Sequence, residues 1–297
     1  MSGDTIQTID ITQVILDTTN TLCNTMLTSI DKATNGLIDK IIFITKEITE
    51  ESYFGNIFGN SPTTGILMLS NCLLVAFVLY YCTRLISSHY SGTEIESPGR
   101  FFLRITIATI LMNSSLEICN LLLDFTSKIT EFFLELGQNI FKVNISFETL
   151  ISILSNTSSD EFNIFSVDGI LTSMLSISSL SLLIGFAPRY IIVKLLILAA
   201  PFAFLCLSNS STEGFFKSWY RSFLAMLLLQ IIIAVLLLIP HALLKDDPDS
   251  IINKLLLIGS ISALLKSGQL VKEFLGGIGI SSNFQAGISG LKSFISR

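Results

Sequence analysis

Three charges set inside apolar runs offer this chain's most informative chemistry. Glu117 lies within Phe101–Leu123, and Arg189 and Lys194 lie within Gly169–Leu207. A charge at mid-membrane is expensive and usually faces a partner or a watery cavity. The functional reading of the three is a polar, water-filled lumen where protomers meet, or charges that pair between helices. The competing reading for the two cations is that long side chains carry the charge out to an interface. Arg189 and Lys194 are only loosely on one side of a helix, because their spacing is neither three nor four residues.

Catalytic patterns are missing from the sequence. It has no P-loop, nucleophile elbow, HExxH or CxxC, and no Ser/His, Asp/Asp or zinc-ligand set at helical spacing in the apolar runs. Gly276-Gly277-Ile278-Gly279 is too short and too late for a nucleotide fingerprint and reads as a flexible break. Cys23, Cys72, Cys82, Cys119 and Cys206 read as small packing residues. An odd cysteine set without framework spacing excludes a disulfide-stapled secreted domain. His89 and His241 flank apolar runs and receive no role. Asp246, Asp247 and Asp249 around Pro248 read as a solvated turn rather than an ion site. The expectation is a protein that is not an enzyme and uses no cofactor or metal.

The elements that position these charges follow from composition. Half of the 297 residues are hydrophobic, 14% are charged, and the mean hydropathy is +0.68. A soluble domain carries roughly 25% charged residues, so this chain lacks the charge to wet a globule of its size. It reads as an all-α polytopic membrane protein. Its 18 Lys+Arg against 23 Asp+Glu disfavour a nucleic-acid binder with a basic face. Met1–Ser61 has neither a basic leader nor an early apolar core, so it does not read as a signal peptide.

A bilayer core needs roughly 20 apolar residues as helix. Gly65–Cys82 and Phe101–Leu123 qualify as spans, the second carrying Arg104, Asn113, Ser114, Ser115 and Glu117. Gly169–Leu207 would be about 58 Å long as one helix. It either crosses once or forms a hairpin turning at Ala187-Pro188-Arg189, and a single crossing is favoured. Phe223–Leu244 and the short Leu255–Leu265 complete about five spans. Three domains result: an N-terminal region 1–64, a transmembrane domain 65–265 with an outer loop 124–168, and a short basic tail 266–297.

Charge orients them. Residues 1–64 hold Lys32, Lys40 and Lys46 against an excess of acids. The 124–168 loop is acid-rich too, whereas 84–104 carries Arg84, Arg100 and Arg104. Cytoplasmic loops carry the Lys/Arg excess. The N-terminus and the 124–168 loop therefore read as outside, and 84–104 and the tail as inside.

Within the N-terminal region, Ile15, Leu22, Met26, Ile30, Ala33, Leu37, Ile41, Ile44 and Ile48 recur on one helix face. That face lies on the membrane or packs against copies of itself, with Ile30, Leu37, Ile41 and Ile44 as the oligomer face. A second amphipathic piece, Ile129–Phe141, looks interfacial.

One stretch resembles a known family. It runs Leu182-Leu183-Ile184-Gly185-Phe186-Ala187-Pro188-Arg189-Tyr190 through Lys194 to Ala199-Ala200-Pro201-Phe202, then Gly214-Phe215-Phe216-Lys217-Ser218-Trp219. This is similar to the TrbL-type inner-membrane protein of type IV secretion and conjugation systems. The similarity extends in pattern over Phe101–Phe274 and is specific over Leu182–Trp219. The resemblance implies a non-catalytic scaffold of a DNA-transfer channel, with an outward N-terminus and about five spans. It implies a small ring, a homo-oligomer of pentamer type. The implied partners are secretion ATPases, an extracytoplasmic secretion subunit, the lipid bilayer, and a DNA–relaxase substrate in transit. It also implies that Pro201 kinks its helix, and that Lys217 and Trp219 anchor at headgroup level.

Two other classes compete. A small-solute transporter is the alternative, although no internal repeat relates Gly65–Leu123 to Gly169–Leu244. A lytic pore-former is usually shorter.

Overall fold

The computed structural model describes residues 18–22, 24–26, 28–29, 32, 37–59, 61–92, 97–142, 144–147, 149, 166–209, 212–246 and 251–274. Among these residues there is no strand. The helices are α1 (Leu37–Ile42), α2 (Glu47–Glu50), α3 (Ser52–Phe58), α4 (Gly65–Ser91), α5 (Pro98–Asn113), α6 (Ser115–Phe141), α7 (Val167–Leu205), α8 (Glu213–Asp246) and α9 (Ile251–Phe274). A 3-10 turn, Cys206–Ser208, follows α7.

Among the described residues, three helices are long and apolar enough to cross a membrane: Gly65–Tyr90, Gly169–Ser208 and Glu213–Ala242. The bent pair α5–α6 makes a fourth if it is one span. The all-α, multi-pass expectation therefore holds at this level. Leu255–Gly268 forms a shorter apolar helix.

Local chemistry explains the boundaries. Pro98 starts α5 at the first turn, where a missing N–H costs nothing. Gly92 ends α4 in the left-handed conformation at φ 66° and donates its N–H to the Ser88 carbonyl. The expected single span Phe101–Leu123 is two helices. They part at Ser114, whose ψ is 9°, and bend by 60°. At this bend the Asn113 amide donates to the Thr109 carbonyl one turn back at 2.9 Å, a side-chain bond that competes with the backbone ladder. The piece expected to begin at Ile129 is continuous with α6, so helix replaces the first part of the 124–168 loop.

In α6 the buried face reads Ser115, Cys119, Leu123, Thr126, Thr130. The two threonine hydroxyls bond carbonyls one turn back at 2.8 and 2.9 Å. Residues that satisfy their own hydroxyls, as Thr126 and Thr130 do, let helices approach closely in an apolar medium. Leu121, Phe125 and Phe132 are exposed on the other side.

The hairpin considered at Ala187-Pro188-Arg189 does not form. α7 runs unbroken through both Pro188 and Pro201, at about 58 Å.

The chain divides into two units: Met1–Ile42, Phe132–Ala187 and Ile233–Lys266; and Phe43–Glu131, Pro188–Ile232 and Ser267–Arg297. The first buries Leu171, Leu182, Phe186, Ile233, Leu237, Leu257 and Ile261. In it, the Phe147 N–H donates to the Asp39 carboxylate at 3.2 Å. The second has one continuous core. Ile44, Ile48, Phe54, Phe58, Leu67, Met112, Leu123, Val193, Ile197, Trp219 and Phe223 pack together in it.

Candidate functional site

Residues just before α4 do not continue a long amphipathic helix. Helix α1 ends at Ile42, and residues 43–46 leave helical geometry before α2 begins. The segment 43–59 then passes into the core of the second unit. Gly59, at φ 103°, closes it. A Cβ there would strike the Thr64 carbonyl oxygen, and one on Gly65 would meet the Ile57 oxygen at 2.5 Å. The chain can fold back this tightly only with glycine at both positions.

Side chains from three helices hold this segment. Gln230 of α8, 1% exposed, accepts the Ile44 N–H at 3.1 Å. The Thr49 hydroxyl donates to Asn120 Oδ1 of α6 at 2.9 Å. Glu51, the extended residue between α2 and α3, reaches α7. Lys194 Nζ lies 2.6 Å from Glu51 Oε2, and the Tyr190 hydroxyl donates to Glu51 Oε1 at 3.2 Å. Lys194 also donates to the Tyr53 hydroxyl. Its ammonium stands 5.0 Å from the Tyr53 ring centre and 4.8 Å from that of Tyr190, close enough for cation–π attraction. Tyr190 and Lys194 share one α7 face because they are four residues apart. The Lys194 hydrogen bond, followed by that of Tyr53, holds the Glu51 carboxyl below its ordinary pKa. A weaker contact, Lys46 to Asp124 at 4.0 Å, lies at the surface.

The charges singled out from sequence are placed differently from expectation. Glu117 is exposed on α6, and Glu51 rather than Glu117 is the carboxylate that Lys194 meets. Arg189 is 5% exposed, and its Nη2 donates to the Met226 carbonyl at 2.8 Å. Neither cation is turned to an open lumen within its unit. A guanidinium so buried is costly unless polar groups meet it, and the Met226 carbonyl is one such group.

Trp219, expected as an anchor, packs within the chain. It is 6% exposed and donates from Nε1 to the Leu196 carbonyl at 2.8 Å. Its ring stacks on Phe223 and meets Phe204 and Phe216. It ties α8 to α7 from inside. Lys217 is exposed and pairs with Glu213 one turn earlier at 2.9 Å. Pro201 is buried in a helix that continues past it.

Of the expected oligomer face, Ile44 is 1% exposed inside the chain's own core, so it is not available to a neighbouring copy. Ile41 is half-buried and Leu37 opens α1. Ile30 lies outside the described residues.

The sequence reading overlooked Glu51, Tyr53 and Gln230. A lone glutamine between Leu227-Leu228-Leu229 and Ile231-Ile232-Ile233 is a visible signal, since an amide in such a run needs a partner. Glu51 carries no such mark. Among the described residues, no group of three or more His, Cys, Asp or Glu is placed to hold a metal.

Comparison with family models, curated proteins and solved structures finds no match.

Proposed function

We propose that this chain is a multi-pass scaffold of a type IV secretion machine that transfers DNA by conjugation. It resides in the bacterial cytoplasmic membrane, with its N-terminus outside. Five crossings fit the proposal: α4, the α5–α6 pair taken as one, α7, α8 and α9. The chain assembles with copies of itself, in a small ring of pentamer type. It works beside secretion ATPases and an extracytoplasmic subunit, and it lines or supports the path of DNA and relaxase. It performs no chemistry of its own.

One observation carries this reading. Within Leu182–Trp219, the stretch that resembles the TrbL type, the distinctive polar residues act as packing ties. Arg189 bonds Met226, Trp219 bonds Leu196, and Tyr190 with Lys194 bonds Glu51. A scaffold works by holding a shape, and these residues hold one. The exposed apolar faces of α4 and α6, with Leu69, Leu79, Leu121 and Phe125, suit lipid or neighbouring copies.

Crosslinking in donor membranes followed by purification of the tagged chain tests the assembly. The expected products are a self-ladder and adducts with the secretion ATPase. Recovery of monomer alone, under conditions that crosslink a known component of the same machine, overturns the proposal.

A further inference from the structure

Segment 43–59 turns one face into the core of the second unit without being a spanning helix, while Tyr53 and Ile57 stay exposed. It has apolar plugs and polar ties. Ile44, Ile48, Phe54 and Phe58 are each at most 3% exposed. In a lipid setting such side chains gain little by exchanging acyl chains for protein, because the tails are equally apolar. The seat of the segment is then set by its polar groups. The extended backbone at Glu51 and its carboxylate need protein partners wherever water is excluded.

These ties are unequal. The Gln230 and Thr49–Asn120 contacts each satisfy one neutral group. Four interactions converge on a single atom, Nζ of Lys194: the Glu51 carboxylate, the Tyr53 hydroxyl, and the rings of Tyr53 and Tyr190. The segment supplies Glu51 and Tyr53, and α7 supplies the ammonium. That side chain is 13% exposed, so water replaces little of what it would lose. Removing the ammonium therefore takes away all four, and leaves the Tyr190 hydroxyl on Glu51 Oε1 as the contact that remains at this point.

We propose that residues 43–59 form a detachable strap, closed onto α7 by the Glu51–Lys194 charge pair and released when either charge is lost. The strap gives the protein a second conformation in which Ile48 and Phe54 are uncovered while the helices stay packed.

The test uses the full chain in liposomes, its native cysteines replaced by Ala, with one reporter cysteine at Ile48→Cys and a maleimide probe. Glu51→Gln and Lys194→Met should each raise the labelling rate about tenfold, the increase expected of a local opening. The charge exchange Glu51→Lys with Lys194→Glu should return it toward the parent rate, and Lys194→Arg should stay near the parent. A second reporter, Ala108→Cys, sits on α5 at 0% exposure and outside the strap's core; it should remain unlabelled in every variant. Unchanged labelling at Ile48→Cys in both neutral variants overturns the strap. So does labelling of Ala108→Cys together with Ile48→Cys, because the pair would then hold the whole unit rather than one segment. Failure of the exchange to restore protection overturns the role of charge.

Discussion

Lys194 and Glu51, 143 positions apart in sequence, meet at 2.6 Å between the middle of a long apolar helix and a segment ahead of the first span. The ammonium side chain is 13% exposed and the carboxylate side chain 35%. The pair therefore lies between an exposed ion pair, worth about 0–1 kcal/mol, and a buried one, costing about 3–5 kcal/mol to break. Each single neutralisation should cost about 1–3 kcal/mol of stability. In Glu51→Gln plus Lys194→Met the combined loss should fall short of the sum, because the second change removes an already orphaned charge. Thermal unfolding of the four proteins in one detergent measures this. Strict additivity would mean that the contact contributes nothing.

The acid dependence follows from the same contact. Glu51 is held below its ordinary value of 4.5, chiefly by Lys194 and then by Tyr53, with Tyr190 also facing it. A depressed carboxyl contributes stability that is fully present above its unfolded pKa and is lost as pH falls through its folded pKa. The tie is thus intact at neutral pH and is lost on acidification below 4.5. Near-UV circular dichroism should show an acid transition that loses its Glu51 component in Glu51→Gln. An identical acid profile for the two proteins would contradict it.

Trp219 is the only tryptophan, so its fluorescence reports a single site. A ring 6% exposed and stacked on Phe223 should be quenched weakly by acyl-brominated lipids and by aqueous iodide. Trp219→Phe keeps most of the ring packing but leaves the Leu196 carbonyl without its indole donor, at a cost of about 1 kcal/mol. Strong quenching by brominated lipid would return the residue to an interface.

Two glycine substitutions should diverge. Gly59→Ala places a Cβ against the Thr64 carbonyl at φ 103°; the backbone strain alone costs on the order of 1–3 kcal/mol, and the overlap adds to it. Gly214 has open space around it in the first turn of α8. Gly214→Ala should be neutral or stabilise by up to about 1 kcal/mol. Equal melting temperatures for the two variants would contradict the fold-back at Gly59.

The spans were legible in the sequence because length and apolarity alone decide them: α4, α7 and α8 lie over the runs at Gly65–Cys82, Gly169–Leu207 and Phe223–Leu244. The N-terminal strap was not. The 3-and-4 spacing from Ile15 to Ile48 passes through 43–46 without a break, yet the Gln230 side chain takes up the Ile44 N–H and gives that backbone a partner outside a helix. Periodicity records which face is apolar and not what covers it, so Ile44 looked free for a neighbour when its own chain buries it. Glu117 was the obvious acid because it lay inside a span. The acid that meets Lys194 sits in a polar stretch, Glu47 to Ser52, where nothing distinguishes it from its neighbours. For Trp219 the sequence carries no sign of the cluster with Phe204, Phe216 and Phe223, which are brought to it by the packing of α7 on α8.

The most direct measurement of the proposed role is mating frequency from a donor in which this gene is deleted cleanly from its mobile element. Transfer should fall to background and return with a wild-type copy supplied in trans. Arg189→Leu, present at parental level in the membrane, should restore it only in part, because the tie to Met226 is gone. Parental transfer by the deletion donor would contradict the account.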